Sequence, residues 1–118
     1  MIRRDGPIVQ KTLAFAIEII KYCNFLIEKK MFIISNQLMK SGTSIGANVF
    51  EAQYSESRLD SIHKMKVAQK EANETLYWLI LCEKMEDIKA QQETTDILNE
   101  IIAILSKIIV TSKKNLNN

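Results

Sequence analysis

The stretch SGTSIGANVFEA, residues 41–52, fits two different kinds of protein. Gly42, Ser44 and Gly46 match G-x-S-x-G, the pattern of a hydrolase nucleophile elbow, in which the serine lies on a strained turn between a strand and a helix. The two glycines also stand four residues apart, which places them on one face if the stretch is helical. The first interpretation predicts an enzyme, and the second predicts a close contact between two helices.

The spacing around the glycines favours the helix. Leu38, Gly42, Ile45, Val49 and Ala52 follow one another at steps of four, three, four and three, which is the period of an amphipathic helix. A nucleophile elbow needs a strand before its serine, and residues 33–41 do not alternate between apolar and polar. The stretch therefore predicts the middle of a helix.

An aspartate and a histidine follow the serine in the chain order of a hydrolase triad. Asp60 and His63 lie one turn apart at the start of the next predicted helix. Ser44 lies roughly 16 Å from that end of the bundle, at about 1.5 Å per residue. Because a catalytic base must lie within about 3 Å of its nucleophile, we expect no catalytic residues and no enzymatic activity.

Composition and periodicity predict an all-α fold. The 118 residues are 47% hydrophobic and 25% charged, with three glycines and one proline, which fits one domain of long helices. Ser57-Arg58-Leu59-Asp60 resembles a capping box with Asp in place of Glu. The apolar stripes predict helices over residues 8–28, 33–55, 58–85 and 90–113. We expect an antiparallel up-down-up-down four-helix bundle that spans residues 1–118 as a single domain.

The last predicted helix is apolar on more than one face. The residues concerned are Ile97, Leu98, Ile101, Ile102, Ile104, Leu105, Ile108, Ile109 and Val110. A surface helix of a monomeric bundle needs only one apolar stripe. The surplus predicts an interface with another subunit, and a thick core is the alternative.

Structural roles are predicted for the small and polar residues of the second helix. Gly42 and Gly46 each cost about 1 kcal/mol relative to alanine, a cost that a closely packed neighbour would offset, and Trp78 or Tyr77 of the third helix is the expected neighbour. Polar residues beside this patch are predicted to form a hydrogen-bonding network that fixes helix register, and they are Ser41, Ser44, Asn48, Glu51, Glu71 and Glu74. A solvated face and a paired-carboxylate site for acid–base chemistry or a metal are the alternatives.

Cysteine usage and hydropathy exclude several classes of site. Cys23 and Cys82 lie in apolar helical runs and are predicted to be core residues. His63 is the only histidine and no C-x-x-C spacing occurs, so no metal and no cofactor are expected. No run of about 18 uncharged apolar residues indicates a membrane span, and the N-terminus does not resemble a secretory signal. A cytoplasmic location without a membrane is expected.

Three segments resemble one protein family. They are QLMKSGTSIGANVFEAQ at residues 37–53, SIHK at residues 61–64 and KEANETLYWL at residues 70–79. These segments are close to Q-L-x-[RK]-S-G-T-S-I-G-A-N-x-x-E-A, I-H-K and K-E-A-x-E-T-x-Y-W-L, the pattern of the four-helix-bundle protein family, also called the 23S rRNA intervening-sequence protein family. Ser61 and Phe50 depart from it, because an aromatic residue and a smaller or acidic residue are common there.

The resemblance implies a ring-like homopentamer without enzymatic activity. Some members of that family are encoded inside insertions in large-subunit rRNA genes. Others are accessory subunits of diversity-generating retroelements, which bind a reverse transcriptase and nucleic acid through a basic pentameric barrel. The implied partners are therefore further copies of the chain, RNA or DNA, and a protein such as a polymerase.

Charge is distributed unevenly along the predicted bundle, although the formal net charge is only +2. One end holds the start of the first helix, the turn between the second and third helices, and the C-terminus. Its candidate nucleic-acid-binding residues are Arg3, Arg4, Lys11, Arg58, Lys64, Lys66, Lys70, Lys113 and Lys114, with Lys107 at the same end and His63 and Tyr77 on the stripe of Lys66 and Lys70. A concentration of basic residues attracts phosphate, and a solvated charged face is the alternative.

Two functional hypotheses follow. The first is a non-enzymatic oligomer that binds RNA or DNA through the basic end. The second is a protein-interaction scaffold or an accessory subunit for a nucleic-acid enzyme. A small-molecule or metal site built from Glu51, Glu71 and Glu74 is a third hypothesis.

Overall fold

The computed structural model describes residues 6–116, which form four α-helices. They are α1 (Pro7–Glu28), α2 (Phe32–Ala52), α3 (Arg58–Glu83) and α4 (Gln92–Leu116), and a short 3-10 helix, Glu86–Ile88, precedes α4. No strand occurs in this described part of the chain, so the predicted all-α class is confirmed. Arg3 and Arg4 lie outside the described residues.

Local sequence signals set the starts of two helices. Pro7 opens α1, where its fixed φ fits the helix and its missing N–H leaves no partner unsatisfied. The Ser57 hydroxyl oxygen accepts a hydrogen bond from the backbone N–H of Asp60 at 3.1 Å. The Asp60 carboxylate in turn accepts one from the N–H of Glu56 at 3.1 Å. Ser57 is therefore the N-cap of α3, as the predicted capping box requires, while the reciprocal bond from Asp60 goes to Glu56, one residue before the N-cap.

The helix ends differ from the prediction by a few residues. The second helix ends at Ala52 rather than at residue 55, because the N–H of Gln53 bonds to the carbonyl of Phe50, three residues back, at 3.1 Å. Such tightened bonds are typical of a final turn. The third helix ends at residue 83, and the fourth begins at residue 92 and continues to residue 116.

Side-chain contacts show that α3 and α4 run in opposite directions. Gln69 Nε2 donates to Ser106 Oγ at 2.8 Å, and Arg58 Nη1 donates to the carbonyl oxygen of Asn115 at 3.1 Å. An earlier position on α3 thus meets a later position on α4. Each helix contacts the next, and α4 contacts α1, which closes a bundle that measures 51 × 21 × 21 Å. No helix in the described part is both long enough and apolar enough to cross a bilayer.

The two glycines of α2 face α1, not α3. A Cβ placed on Gly42 would lie 2.8 Å from Ile19 Cγ2, and one placed on Gly46 would lie 3.1 Å from Thr12 Oγ1. The prediction of Trp78 or Tyr77 as the neighbour was therefore wrong, and the glycines let α1 approach instead. This contact is also antiparallel, because the later glycine meets the earlier residue of α1.

The surplus of apolar residues on α4 is absorbed by the bundle. Leu98, Ile101, Leu105 and Ile109 are buried, and their isoleucine neighbours are partly buried against the same core. Among the nine residues, only Val110 is mainly exposed, at 54%. The thick-core alternative therefore describes α4 better than a second interface does.

An unpartnered apolar face lies on α1. Leu13 is 55% exposed, Ile17 48% and Ile20 39%, and their spacing of four and three places them on one stripe. Phe50 of α2, 43% exposed, extends this face across a groove of about 420 Å³ between the two helices. We call Leu13, Ile17, Ile20 and Phe50 the α1 face.

Candidate nucleic-acid interface at one end of the bundle

One end of the bundle is formed by residues 53–66 and 104–116, and we call it the basic end. The Arg58 contact with Asn115 ties the first residue of α3 to the last turn of α4. A cation is stabilised there, because the C-terminus of a helix carries a partial negative charge. The cationic side chains of this end are Arg58, Lys64, Lys66, Lys107, Lys113 and Lys114.

Two lysines from different helices lie side by side at the basic end. Lys66 on α3 and Lys113 on α4 are both exposed, and a side-chain contact with Lys113, together with its charge, lowers the pKa of Lys66. Neither lysine forms an ion pair within the described residues. A neighbouring anion would relieve the repulsion, because an opposite charge favours the protonated form.

Two of the predicted cations are already paired with carboxylates. Lys11 Nζ lies 2.9 Å from Glu100 Oε2, and Lys64 Nζ lies 3.6 Å from Asp60 Oδ1. The Lys11 pair joins α1 to the first half of α4, away from the basic end. These two lysines are therefore weaker candidates than Lys66 and Lys113.

The outer face of α3 continues the basic surface along the bundle. His63, Lys66, Lys70 and Tyr77 are all exposed on this helix, and their spacing places them on one stripe. Lys114 is likewise exposed in the last turn of α4. This stripe offers cations and an aromatic ring to a ligand that lies along α3.

The predicted register network is reduced to one contact between helices. The hydroxyl oxygens of Ser41 and Thr75 lie 2.9 Å apart, and both residues are fully buried. Thr75 Oγ1 also lies 2.8 Å from the carbonyl oxygen of Glu71. Because each hydroxyl carries one proton, Thr75 can donate to that carbonyl while Ser41 donates to Thr75.

The other polar residues of α2 bond to their own helix. Ser44 Oγ donates to the carbonyl of Lys40 at 2.6 Å, and Asn48 Nδ2 donates to the carbonyl of Ser44 at 2.8 Å. Ser44 therefore lies inside a helix with its hydroxyl committed to the backbone. This geometry is incompatible with a nucleophile elbow.

The three predicted carboxylates do not form a paired site. Glu51 and Glu74 are exposed and Glu71 is half-buried. None of them forms a side-chain hydrogen bond or ion pair to another described residue, and no cluster of three or more potential metal ligands occurs among residues 6–116. Of the three alternatives, the solvated face describes these carboxylates best.

The thiols and the tryptophan belong to the interior of the bundle. Cys23 and Cys82 are free and fully buried, as predicted, and burial raises the pKa of both thiols. Cys23 also joins α1 to α2, since Ser35 Oγ donates to its carbonyl oxygen at 3.1 Å. Trp78 is partly buried against the core, and its Nε1 has no hydrogen-bond acceptor within the described part of the chain.

Sequence reasoning missed two residues that the structure brings to notice. Thr75 was matched only as part of the family pattern, although it supplies the partner of Ser41. Gln53 was placed inside a predicted helix, yet it is 9% exposed and its Oε1 is buried. A helical period shows which face a residue occupies and not how deeply a residue at a helix end is covered.

A family model decides where the chain belongs. The model described as 23S rRNA-intervening sequence protein matches residues 4–110. The chain belongs to this family. No curated protein matches it. A solved protein from Bacteroides thetaiotaomicron, described as a protein with unknown function from the S23 ribosomal protein family, is 40% identical to this family member. The match covers 86% of this chain and 97% of the other, with a TM-score of 0.80.

Proposed function

We propose that this member of the 23S rRNA-intervening sequence protein family is a non-enzymatic helical bundle that binds nucleic acid, RNA or DNA, through its basic end. The observation that carries the proposal is the pair of Lys66 and Lys113. Two ammonium groups from different helices meet there without a carboxylate among the described residues. Nucleic acid supplies the phosphates that such a pair lacks, and nucleic acid in the cytoplasm is the ligand that we propose.

Neighbouring cations support the same proposal. Arg58, Lys107 and Lys114 lie within the basic end, and Lys70 is exposed beside it. Each phosphate that a protein neutralises releases counterions, so the affinity depends steeply on salt. The Ser44 geometry and the separated carboxylates support a binding role rather than catalysis.

A salt titration with two matched variants tests the proposal. The variant Lys66→Ala with Lys113→Ala removes the lysine pair, and Lys40→Ala with Lys84→Ala removes two charges from elsewhere on the bundle. We expect the first variant to bind structured RNA more weakly in a mobility-shift titration. We expect it also to reduce the slope of log affinity against log salt by about 2, at roughly one unit per phosphate contact. The control variant should keep the wild-type slope.

Two outcomes would contradict the proposal. One is the absence of any binding at low salt by the wild-type chain. The other is an equal loss of affinity in the two double variants, since net charge alone would then explain the binding. Replacing Arg3 and Arg4, which lie outside the described residues, tests whether they add to the same slope.

A protein-interaction role is the second candidate, and the α1 face favours it. Leu13, Ile17 and Ile20 leave a stripe of apolar surface in water, which is typical of a surface that another protein covers. We propose a second copy of the chain as the occupant, in line with the homopentamer that the family resemblance implies. A polymerase-type protein is the alternative occupant.

Light scattering after size-exclusion chromatography tests the occupant. We expect the wild-type chain to run as an oligomer and Ile17→Glu to shift it toward the monomer, because a charge buried in an apolar contact is costly. Ala103→Glu, an exposed position on α4, is the matched control. A wild-type monomer would exclude self-association through the α1 face and favour the accessory-subunit hypothesis.

A further inference from the structure

The last half of α4 extends past the described start of α1. Lys11 pairs with Glu100, and the Tyr22 hydroxyl donates to the carbonyl oxygen of Ile88. These two contacts fix the antiparallel register of α1 against the chain around α4. In that register Pro7, the first residue of α1, lies beside residue 104. Residues 105–116 of α4 therefore lie beyond the cover that α1 provides.

A cleft of about 900 Å³ opens along this part of α4. It lies between α4, the end of α2 and the first turn of α3. Its lining residues on the α2 and α3 side are Ala52, Gln53, Ser55, Ser57, Arg58 and Ser61. The α4 side contributes the half-buried Ile104 and Ile108 and the polar residues that follow them. The volume is in the range of small-molecule pockets, about 300 to 1,000 Å³.

The cleft is cationic. Arg58 and Lys107 are the ionisable residues of its described lining, and no acidic residue lines it. Neither cation forms an ion pair with another described residue. Arg58 uses one Nη1–H for the Asn115 carbonyl, and a guanidinium has four further N–H donors. An anionic group fits this part of the cleft.

The wall of the cleft contains an acceptor without a donor. Gln53 is 9% exposed, and its Nε2 donates to the carbonyl oxygen of Val49 at 2.9 Å. Its Oε1 is buried and has no hydrogen-bond partner within the described part of the chain. A buried polar atom is nearly always hydrogen-bonded in a native structure. Because this oxygen has almost no accessible surface, a ligand in the cleft that offers an N–H or O–H group would satisfy it after the Gln53 side chain rotates toward the cleft.

We propose that this cleft binds one nucleotide unit. Arg58 and Lys107 hold the phosphate, the base lies against Ile104 and Ile108, and an N–H on the edge of the base donates to Gln53 Oε1. A fatty acid would satisfy the cations and the isoleucines but has no donor for Gln53. The inference rests on the proposed nucleic-acid binding when the unit belongs to a strand, and a free nucleotide is the other source of the same chemistry.

The test replaces the Gln53 acceptor in the protein and, separately, removes the base from the ligand. Gln53→Met keeps the length of the side chain and removes the oxygen together with the Nε2 donor to Val49. Gln69→Met, which likewise loses an Nε2 donor, on the α3–α4 contact, is the matched control. The probes are a fluorescent single-stranded RNA of about ten nucleotides, the same strand with abasic sugars, and free AMP. Anisotropy measures the strands and calorimetry measures AMP. We expect Gln53→Met to weaken binding of the intact strand about three- to tenfold, the yield of one hydrogen bond. The abasic strand should bind wild type and Gln53→Met equally.

The outcomes separate this inference from the proposed function. If the strand binds and Gln53→Met changes neither it nor AMP, the cleft inference is wrong while nucleic-acid binding stands. If neither strand nor AMP binds, both are wrong. If only AMP binds, and Gln53→Met weakens it, the cleft takes a free nucleotide and the proposed function fails alone. A thermal unfolding curve shows whether Gln53→Met is folded. If it is not, Arg58→Gln supplies an independent variant, because it weakens binding through the phosphate.

Discussion

The α1–α2 contact and the basic end of the bundle differ in how completely their side chains find partners. At the contact, Gly42 and Gly46 carry no side chain, and Ile19 and Thr12 of α1 occupy the space beside them. At the basic end, Lys66 meets Lys113 without a counterion among the described residues. The groups at the contact are satisfied within one chain, whereas the two lysines have no counterion among the described residues. The G-x-S-x-G signature therefore specifies packing, and the nucleic-acid binding that we propose depends on residues outside it.

The strongest test of this comparison reverses charge at the basic end. We expect Lys66→Glu with Lys113→Glu to lower the affinity for structured RNA about a hundredfold at low salt, because two phosphate contacts are lost and two repulsions are added. The thermal midpoint should stay the same or fall slightly, because the repulsion between two lysines is replaced by one between two carboxylates and the carboxylate at position 113 lies at the negative end of α4. Binding and thermal unfolding are measured on one preparation. A large loss of stability would show that the pair has a structural role.

The next test fills the space at the two glycines separately. In Gly42→Ala the new Cβ would lie 2.8 Å from Ile19 Cγ2, and Ile19 is fully buried and stiff at χ1. Overpacking of about 1–3 kcal/mol should exceed the helix-propensity gain of about 1 kcal/mol. We expect urea unfolding to show a net loss of about 1–2 kcal/mol.

Gly46→Ala is the matched control. Its nearest neighbour, Thr12 Oγ1, would lie 3.1 Å away, so a small shift suffices and the propensity gain offsets most of the cost. We expect a free energy of unfolding within about 0.5 kcal/mol of wild type. Equal losses in the two alanine variants would show that the α1 contact is looser than described.

A double-mutant cycle tests the contact between α2 and α3. Ser41→Ala and Thr75→Val each remove one hydroxyl of the buried pair. We expect each single variant to lose about 1 kcal/mol and the double variant to lose less than the sum, with a coupling of about 0.5–1.5 kcal/mol. Denaturant unfolding of the four proteins gives the coupling. Strict additivity would mean that the two hydroxyls do not interact.

The smallest expected effect depends on pH. The pKa of Lys66 is lowered by Lys113, so Lys66 loses its proton before an ordinary lysine does. Charge at the basic end, and with it the affinity for a DNA strand, should fall a few-fold as the pH rises through the range just below the usual lysine pKa of about 10.4. Lys113→Gln should remove this early fall, because the cause of the shift is gone. An identical pH profile in the two proteins would contradict the assignment.

Much of the fold could be predicted, because it depends on local patterns. The steps from Leu38 to Ala52 predicted the second helix, and Ser57 with Asp60 predicted the start of the third. The partner of the glycines could not be predicted from the same period, because a period gives the face of a helix and not the neighbour that covers it. Ile19 and Thr12 carry no local signal of that contact.

The positive charge of the candidate site could be predicted from the sequence, but the pairing of its two lysines could not. Lys66 and Lys113 stand far apart in sequence, and only the antiparallel register of α3 and α4 brings them together. The register of α1 against α4 places Lys11 beside Glu100, away from the basic end. The cleft at Gln53 depends on how far α4 extends beyond α1, a tertiary property that no single segment contains.

Protection of lysines from chemical modification tests the central claim most directly. The wild-type chain is acetylated with and without bound RNA, at low and at high salt, and each lysine is quantified by mass spectrometry. The account predicts that RNA protects Lys66 and Lys113 at low salt, that high salt restores their reactivity, and that Lys40 and Lys84 react equally throughout. Protection spread evenly over these four lysines, or the absence of protection at Lys66 and Lys113, would contradict it.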